Sequence, residues 1–245
     1  MEVGWPSELF LIRHAQSAGN VARERALEAG ALTIDIAMRD CDVPLSELGE
    51  RQARALGTWC ARHVEPIDCI LSSPYARAQD TAAIALRAAG WDVSIIVDER
   101  LREKEFGALE RLTHSGIQRR FPDQAELRRT IGKFYYRPPG GESWTDVILR
   151  LRSLLETITR EHAGKRVAIV SHQVIVLCFR YLLEQLNERQ LLEIDHAGDV
   201  ANCSVTTYRL DRERDRLVLQ DHNLVAPMEE AGEPVTRRPD VPLAR

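Results

Sequence analysis

Long apolar runs are missing from this chain. No uncharged stretch approaches the ~18 residues that a membrane-crossing helix needs, so the sequence predicts no membrane partner. The first residues also lack the basic start and extended apolar run of a secretory leader. Cysteine is sparse: Cys41, Cys60, Cys69, Cys178 and Cys203 form no close pair and show no zinc spacing. Free thiols, most of them buried, in a reducing cytoplasm are the expectation. A surplus of positive charge is absent too, with 33 Lys and Arg against 37 Asp and Glu and a formal charge of −4. That argues against a general nucleic-acid binder, because affinity for a phosphate backbone needs a basic surface. No internal repeat and no metal-ligand spacing appear, so neither metal nor other cofactor is expected.

What remains is ordinary globular material. A chain of 245 residues with 44% hydrophobic content carries one large core, or one domain with an inserted cap. Short apolar runs rich in Val and Ile predict strands near 8–12, 67–71, 93–97, 166–170, 203–209 and 216–220. Helical patterns lie between them. One opens at Ser46 and runs to His63, a second covers Ala76–Ala89 and stops at Gly90, a third covers Glu142–His162, and a fourth covers Val174–Leu186. A short helix falls near 21–29. This alternation predicts an α/β fold, a three-layer α/β/α sandwich around a mostly parallel mixed sheet. Residues 1–225 form the catalytic domain in this reading. Residues 107–141, helical and basic, insert as a lid over the C-terminal strand ends. From Ala226 onward four prolines (Pro227, Pro234, Pro239, Pro242) predict an extended or disordered tail over 226–245.

The informative residues sit where strands end. Leu9-Phe10-Leu11-Ile12 stops on Arg13-His14, and Ser17 and Asn20 follow. Cys69-Ile70-Leu71 runs into Ser72-Ser73-Pro74-Tyr75-Ala76-Arg77, and Val167-Ala168-Ile169-Val170 runs into Ser171-His172. In an open α/β sheet the ligand crevice lies outside the carboxyl ends of the strands, so neighbouring strands would bring Arg13, His14, Arg77 and His172 together. Histidine attacks phosphorus and arginine forks onto phosphoryl oxygens, so the set suits phosphoryl transfer. Each residue also has a bland role: His14 and His172 as helix caps, Ser17 and Asn20 as local capping groups, Arg77 as a surface residue. For Arg77 the bland role is weakened, because a cation at a helix N-terminus is disfavoured unless an anion sits there. Glu103 and Glu105 are rival general acids that spacing cannot separate.

In this order the segments resemble the histidine phosphatase superfamily, which also holds the phosphoglycerate mutases. The resemblance runs from about Leu9 to Tyr208. It is carried by Arg13-His14 with Ser17 and Asn20, Asp42-Val43-Pro44-Leu45-Ser46, Ser73-Pro74 with Arg77-Ala78, Glu103 with Phe106-Gly107, Pro139-Gly140-Gly141-Glu142-Ser143, Ser171-His172, and Asn202-Cys203-Ser204-Val205. It implies a phosphomonoester hydrolase that acts on a small phosphate ester through a phosphohistidine on His14. Arg13, Arg77 and His172 would hold the phosphoryl group, and Glu103, the carboxylate before Phe-Gly, would be the acid. Ser17, Asn20 and Gln173 join the substrate-binding set. Two departures from the family pattern are Ala15 and Gln173, where glycine usually follows each histidine. A cofactor-dependent phosphoglycerate mutase and a non-catalytic phosphate-binding protein are the alternatives. Against the mutase, the stretch Ile34–Asp40 has no aromatic residue, and Glu110-Arg111 stands where the second mutase loop would open. The reading leaves room for a homodimer.

Overall fold

The computed structural model describes residues 4–237. The chain enters through β1 (Glu8–Arg13) and reaches β2 (Cys69–Ser72), β3 (Ile95–Val97) and β4 (Arg166–Ser171), then closes with the hairpin β5 (Val205–Asp211) and β6 (Arg216–Leu224). These six strands form one sheet in the order β3-β2-β4-β1-β5-β6. The β1–β4 and β2–β4 pairs are parallel, as is β2–β3. β5 runs antiparallel to β1, and β6 runs antiparallel to β5. The sheet is thus mostly parallel and mixed, as the alternation of elements predicts.

Strand periodicity splits the core in two. Leu9 and Leu11 of β1, Leu71 of β2, and Val167 and Ile169 of β4 face one layer of helices; Phe10, Ile12, Ile70, Ala168 and Val170 face the other. The first layer holds α6 (Trp144–Glu161), α7 (Gln173–Leu183) and α8 (Glu188–Ala197). On α6, Val147, Leu151, Leu154 and Ile158 are fully buried at helical spacing. At ~1.5–3 kcal/mol for each buried aliphatic side chain, that stripe anchors the helix. In α7 every residue from Gln173 to Arg180 is buried, as expected of a helix enclosed on all sides. The second layer holds α2 (Glu47–His63), α3 (Ala76–Ala89) and α9 (Ala226–Ala231). Ser46 caps α2 by accepting from the Gly49 amide, and Gly90 ends α3 at φ 70°.

Three stretches differ from the sequence expectation. The first helix, α1, spans Ala18–Glu28 and starts three residues earlier than its apolar pattern suggested, because Ser17 and Asn20 close a capping box. Helix α8 was not foreseen; its start is set by an Asn187–Gln190 capping box, and its apolar contact with the core is short, with Leu191 buried and Leu192 and Ile194 partly buried. The tail expected to be extended from Ala226 onward is folded over its first part. Residues 226–231 form α9, with Pro227 at the helix start, where its missing N–H is no loss. Met228 is fully buried, and Glu230 accepts from the Trp59 indole at 3.0 Å. Pro234 and Thr236 accept from the Gln52 amide. Residues 238–245 lie outside the described residues.

The 107–141 insertion is helical. A 3-10 turn at Gly107–Leu109 leads to α4 (His114–Arg120) and α5 (Pro122–Ile131). Leu109, Leu112, Ile117 and Tyr136 make its own small core. Cys69, Cys178 and Cys203 are buried free thiols, while Cys41 and Cys60 are partly exposed. Burial raises the Cys178 and Cys203 thiols well above the usual range, so they stay protonated. Among the described residues no helix is long and apolar enough to cross a membrane.

Candidate active site

Sheet order explains why distant residues meet. β4 lies between β2 and β1, so the segments leaving all three strands emerge side by side. The ladder extends one step past the strand ends: the His14 amide donates to Ser171 O at 2.8 Å, and the Ser73 amide donates to Val170 O at 3.0 Å. The Arg13 carbonyl accepts from the Cys203 amide at 3.0 Å. His14, Ser73 and His172 are thereby placed by backbone before any side chain is considered.

Arg13, His14 and His172 are completely buried, and Arg77 is 2% exposed. The His14 and His172 rings meet edge-on with centroids 5.1 Å apart. His14 Nδ1 lies 2.7 Å from the Ala15 carbonyl. A carbonyl only accepts, so Nδ1 carries the proton and Nε2 carries the lone pair. Nε2 in turn accepts from Arg77 Nε at 3.3 Å. The His14 carbonyl is held by the Asn202 amide at 2.9 Å, and the Ala15 N–H donates to Thr81 Oγ1 at 3.0 Å. The turn that carries His14 is therefore fixed from β5's approach and from α3. On the other histidine, Nε2 pairs with Ser73 Oγ at 2.8 Å, and the Tyr75 ring packs edge-on at 5.1 Å.

Arg77 has a partner that the sequence did not disclose. Its Nη1 and Nη2 fork onto the Asp40 carboxylate at 3.1 and 3.0 Å, and Nη1 also donates to the Asp40 carbonyl at 2.7 Å. The guanidinium also stacks over the Tyr75 ring, 4.9 Å from its centroid. Arg13 Nη1 donates to the Val200 carbonyl at 2.5 Å, which ties one end of that side chain to the loop before β5.

The two rival carboxylates separate by environment. Glu103 is 2% exposed, with Oε1 accepting from the Lys104 amide at 2.8 Å. The Glu105 side chain is 48% exposed and lies 3.6 Å from Arg102. Burial, and then the negative charges of Asp40, Glu105 and Glu103, push the Tyr75 phenol well above its usual range, with the Arg77 charge opposing. The Pro138–Ser143 turn holds their segment in place. Glu142 accepts from the Glu105 amide at 3.1 Å, from Arg102 at 2.7 Å and from Arg150 at 3.0 Å. Ser143 caps α6, a structural role. Gly107 sits at φ 53° against this turn, and a Cβ there would lie 2.2 Å from Pro139 O.

Ser17 and Asn20 serve the capping role that was left open. Ser17 Oγ accepts from the Asn20 amide at 3.1 Å, and Asn20 Oδ1 accepts from the Ser17 amide at 2.9 Å. Both still line a pocket beside Arg77. Gln173 is buried at the first turn of α7, donates to Asp199 Oδ1 at 3.0 Å, and has an Oε1 with no hydrogen-bond partner. Its side chain stands beside His172, where a glycine would have left space. Among the described residues no three His, Cys, Asp or Glu side chains gather as a metal site. Sequence reasoning missed Asp40, Ser73, Tyr75 and Asn202. Ser73, Tyr75 and Asn202 lay inside quoted motifs, but Asp40 lay in a stretch without periodicity.

The model of the histidine phosphatase superfamily (branch 1) matches residues 9–223. A bifunctional protein of Mycobacterium tuberculosis is 36% identical over 169 residues, which is 69% of this chain and 42% of that protein. The chain thus spans less than half the length of the first curated relatives it matches. A 2,3-bisphosphoglycerate-dependent phosphoglycerate mutase of Gloeobacter violaceus is 32% identical over 200 residues, 79% of this chain and 84% of that protein. Among solved structures, a mycobacterial glucosyl-3-phosphoglycerate phosphatase superposes with a TM-score of 0.68 at 27% identity, covering 89% of this chain and 99% of that one.

Proposed function

The chain belongs to the histidine phosphatase superfamily, and from that premise we propose that it hydrolyses phosphomonoesters through a phosphohistidine on His14. One observation carries the reading: the Ala15 carbonyl fixes the proton on Nδ1 of His14, so the lone pair on Nε2 faces the arginine-lined crevice. The nucleophile needs no deprotonation before it attacks.

In the first half-reaction Nε2 attacks phosphorus while the ester P–O bond breaks. Glu103, as the neutral acid, gives its proton to the departing alkoxide. In the second, Glu103 takes a proton from water, the water oxygen bonds to phosphorus, and the N–P bond breaks. Phosphate leaves and His14 is restored. Charge on the transferring group is held by Arg13, Arg77 and His172, which supply most of what phosphoryl transfer requires. Ser73 orients His172, and Asn202 orients His14. For Arg77 to clamp a phosphoryl group, its fork must exchange the Asp40 carboxylate for phosphoryl oxygens. The substrate is a small phosphorylated metabolite, and a reducing cytoplasm suits the free thiols. The alternative is transfer of the phosphoryl group back to a bound product, as the name of the Gloeobacter relative suggests. The mycobacterial phosphatase, similar over nearly its whole length, supports hydrolysis.

Brief incubation with a labelled phosphomonoester tests both. Hydrolysis predicts acid-labile, base-stable label on His14, phosphate release across a substrate panel, and loss of essentially all turnover in His14→Ala with the fold retained. Label elsewhere or near-normal turnover by the variant overturns the mechanism. Efficient interconversion of 3- and 2-phosphoglycerate with little phosphate release selects the mutase.

A further inference from the structure

The segment after α9 reaches the turn that carries the nucleophile. Met228 seats α9 in the second core layer, Glu233 meets Arg51 at 3.1 Å, and Val235 packs on the same layer. These anchors lead the chain to Thr236, whose carbonyl accepts from the Asn202 backbone N–H at 2.9 Å. The Thr236 hydroxyl stands between the side chains of Gln52 and Asn202, both completely buried. It accepts from Gln52 Nε2 at 3.1 Å and donates to Asn202 Oδ1 at 2.9 Å.

A carboxamide has one donating end and one accepting end, so a contact at one end decides what the other end does. Gln52 turns Nε2 to the hydroxyl, and to the Pro234 carbonyl at 2.8 Å, and so presents Oε1 to the Gln16 N–H at 2.9 Å. Asn202 turns Oδ1 to the hydroxyl and so presents Nδ2 to the His14 carbonyl at 2.9 Å. A circuit closes, from the His14 carbonyl through Asn202, Thr236 and Gln52 to the Gln16 N–H. The backbone inside it carries the chemistry. The Gln16 N–H and the Ala15 carbonyl belong to one planar peptide unit, and that carbonyl holds the proton on His14 Nδ1 at 2.7 Å.

We propose that Thr236 is a positioning residue for the nucleophile. Its hydroxyl sets both carboxamides and, through them, the peptide plane that keeps the proton on Nδ1 of His14. The proposal rests on the phosphohistidine reading. At rest Arg77 Nε also donates to His14 Nε2, at 3.3 Å. During attack Nε2 faces phosphorus instead, and the Nδ1 bond alone holds the tautomer. A ring protonated on Nε2 has no lone pair there to give. Loss of the hydroxyl therefore falls on kcat and spares substrate affinity.

Thr236→Val keeps the outline of the side chain without the hydroxyl, and Thr236→Ser keeps the hydroxyl. The net worth of one hydrogen bond corresponds to roughly three- to tenfold, so Thr236→Val should lower kcat by about that factor with little change in KM. Thr236→Ser should restore most of it. Nitrogen NMR of ring-labelled histidine, with His14 assigned by its disappearance in His14→Ala, reads the tautomer without turnover. The His14 ring shifts should move in Thr236→Val and return in Thr236→Ser. The proposal stands only if kcat and the shifts move together with valine and return together with serine. Wild-type values of either in Thr236→Val overturn it, as does an equal loss in both variants, which assigns the effect to packing. If valine unfolds the chain, Thr236→Ala takes its place. Unfolding by both, followed by circular dichroism, makes Thr236 structural only and overturns the proposal. A wild type with neither turnover nor phosphohistidine refutes the phosphatase reading, and the shifts alone then decide whether Thr236 positions His14.

Discussion

Lys104 is buried as a cation without a hydrogen-bond partner, and replacing it by methionine should stabilise the protein by an amount that depends on pH. The side chain is 4% exposed, and Nζ has no hydrogen-bond partner. Its contact is the face of Phe106, 4.2 Å from the ring centroid. Burial lowers its pKa from 10.5 to about 8, with the Arg128 charge acting in the same sense and Glu103 and Glu142 opposing. Below about pH 8 the amine is charged in both the folded and the unfolded chain, and folding carries the full penalty. Between about 8 and 10.5 the folded protein sheds the proton first, the unfolded chain holds more protons, and stability rises with pH. The gap corresponds to about 3 kcal/mol at neutral pH.

Methionine matches lysine's length and flexibility, places no charge in the site and keeps the backbone N–H that Glu103 accepts from. Lys104→Met should therefore gain up to about 3 kcal/mol at pH 7, or roughly 6–12 °C in Tm for a domain of this size. The gain should shrink through the window above pH 8 and be nearly gone at pH 10.5. Urea unfolding of both proteins at pH 7, 9 and 10.5, followed by fluorescence and far-UV circular dichroism, measures it. Taking the difference between variant and wild type removes the titration of every other thiol, phenol and amine. Equal stability at pH 7 would refute the reasoning. A gain that stays constant with pH would show that packing, not charge, is responsible.

Glu103→Gln should slow an alkyl phosphate far more than nitrophenyl phosphate, because only the poor leaving group needs the proton; on general acid catalysis the selective loss is ~10²–10⁴-fold. Equal losses, with a selective loss in Glu105→Gln, would move the role to Glu105. Asp40→Asn should tighten inhibition by phosphate or vanadate roughly three- to tenfold, since the carboxylate competes for the Arg77 fork; weaker inhibition would mean that Asp40 holds Arg77 in its working position. Gly107→Ala should destabilise the fold by roughly 2–5 kcal/mol in urea unfolding, because a Cβ at φ 53° meets Pro139 O at 2.2 Å; a neutral result would mean that the turn yields freely.

The sheet was legible because each strand's alternation has to satisfy two helix layers, and Leu9-Phe10-Leu11-Ile12 or Val167-Ala168-Ile169-Val170 divides cleanly between them. Helices with an apolar stripe or a glycine stop were equally plain, as Ala76–Ala89 shows. α8 and α9 were not, since their positions are set by side-chain capping and by docking onto surfaces made elsewhere in the chain. The convergence of Arg13, His14, Arg77 and His172 followed from one inference, that the strands before them are neighbours.

Asp40 marks the limit of that inference. It lies in a segment with no period to read, and nothing in its neighbours Arg39 and Cys41 announces an ion pair with Arg77, 37 positions away. Such a partner follows from electrostatics. A guanidinium that is 2% exposed cannot stay buried without an anion, because the cost of an uncompensated buried charge exceeds what packing returns. Having placed Arg77 at a buried helix N-terminus, sequence reasoning could have demanded a carboxylate from the segment facing it, and Ile34–Asp42 supplies three: Asp35, Asp40 and Asp42.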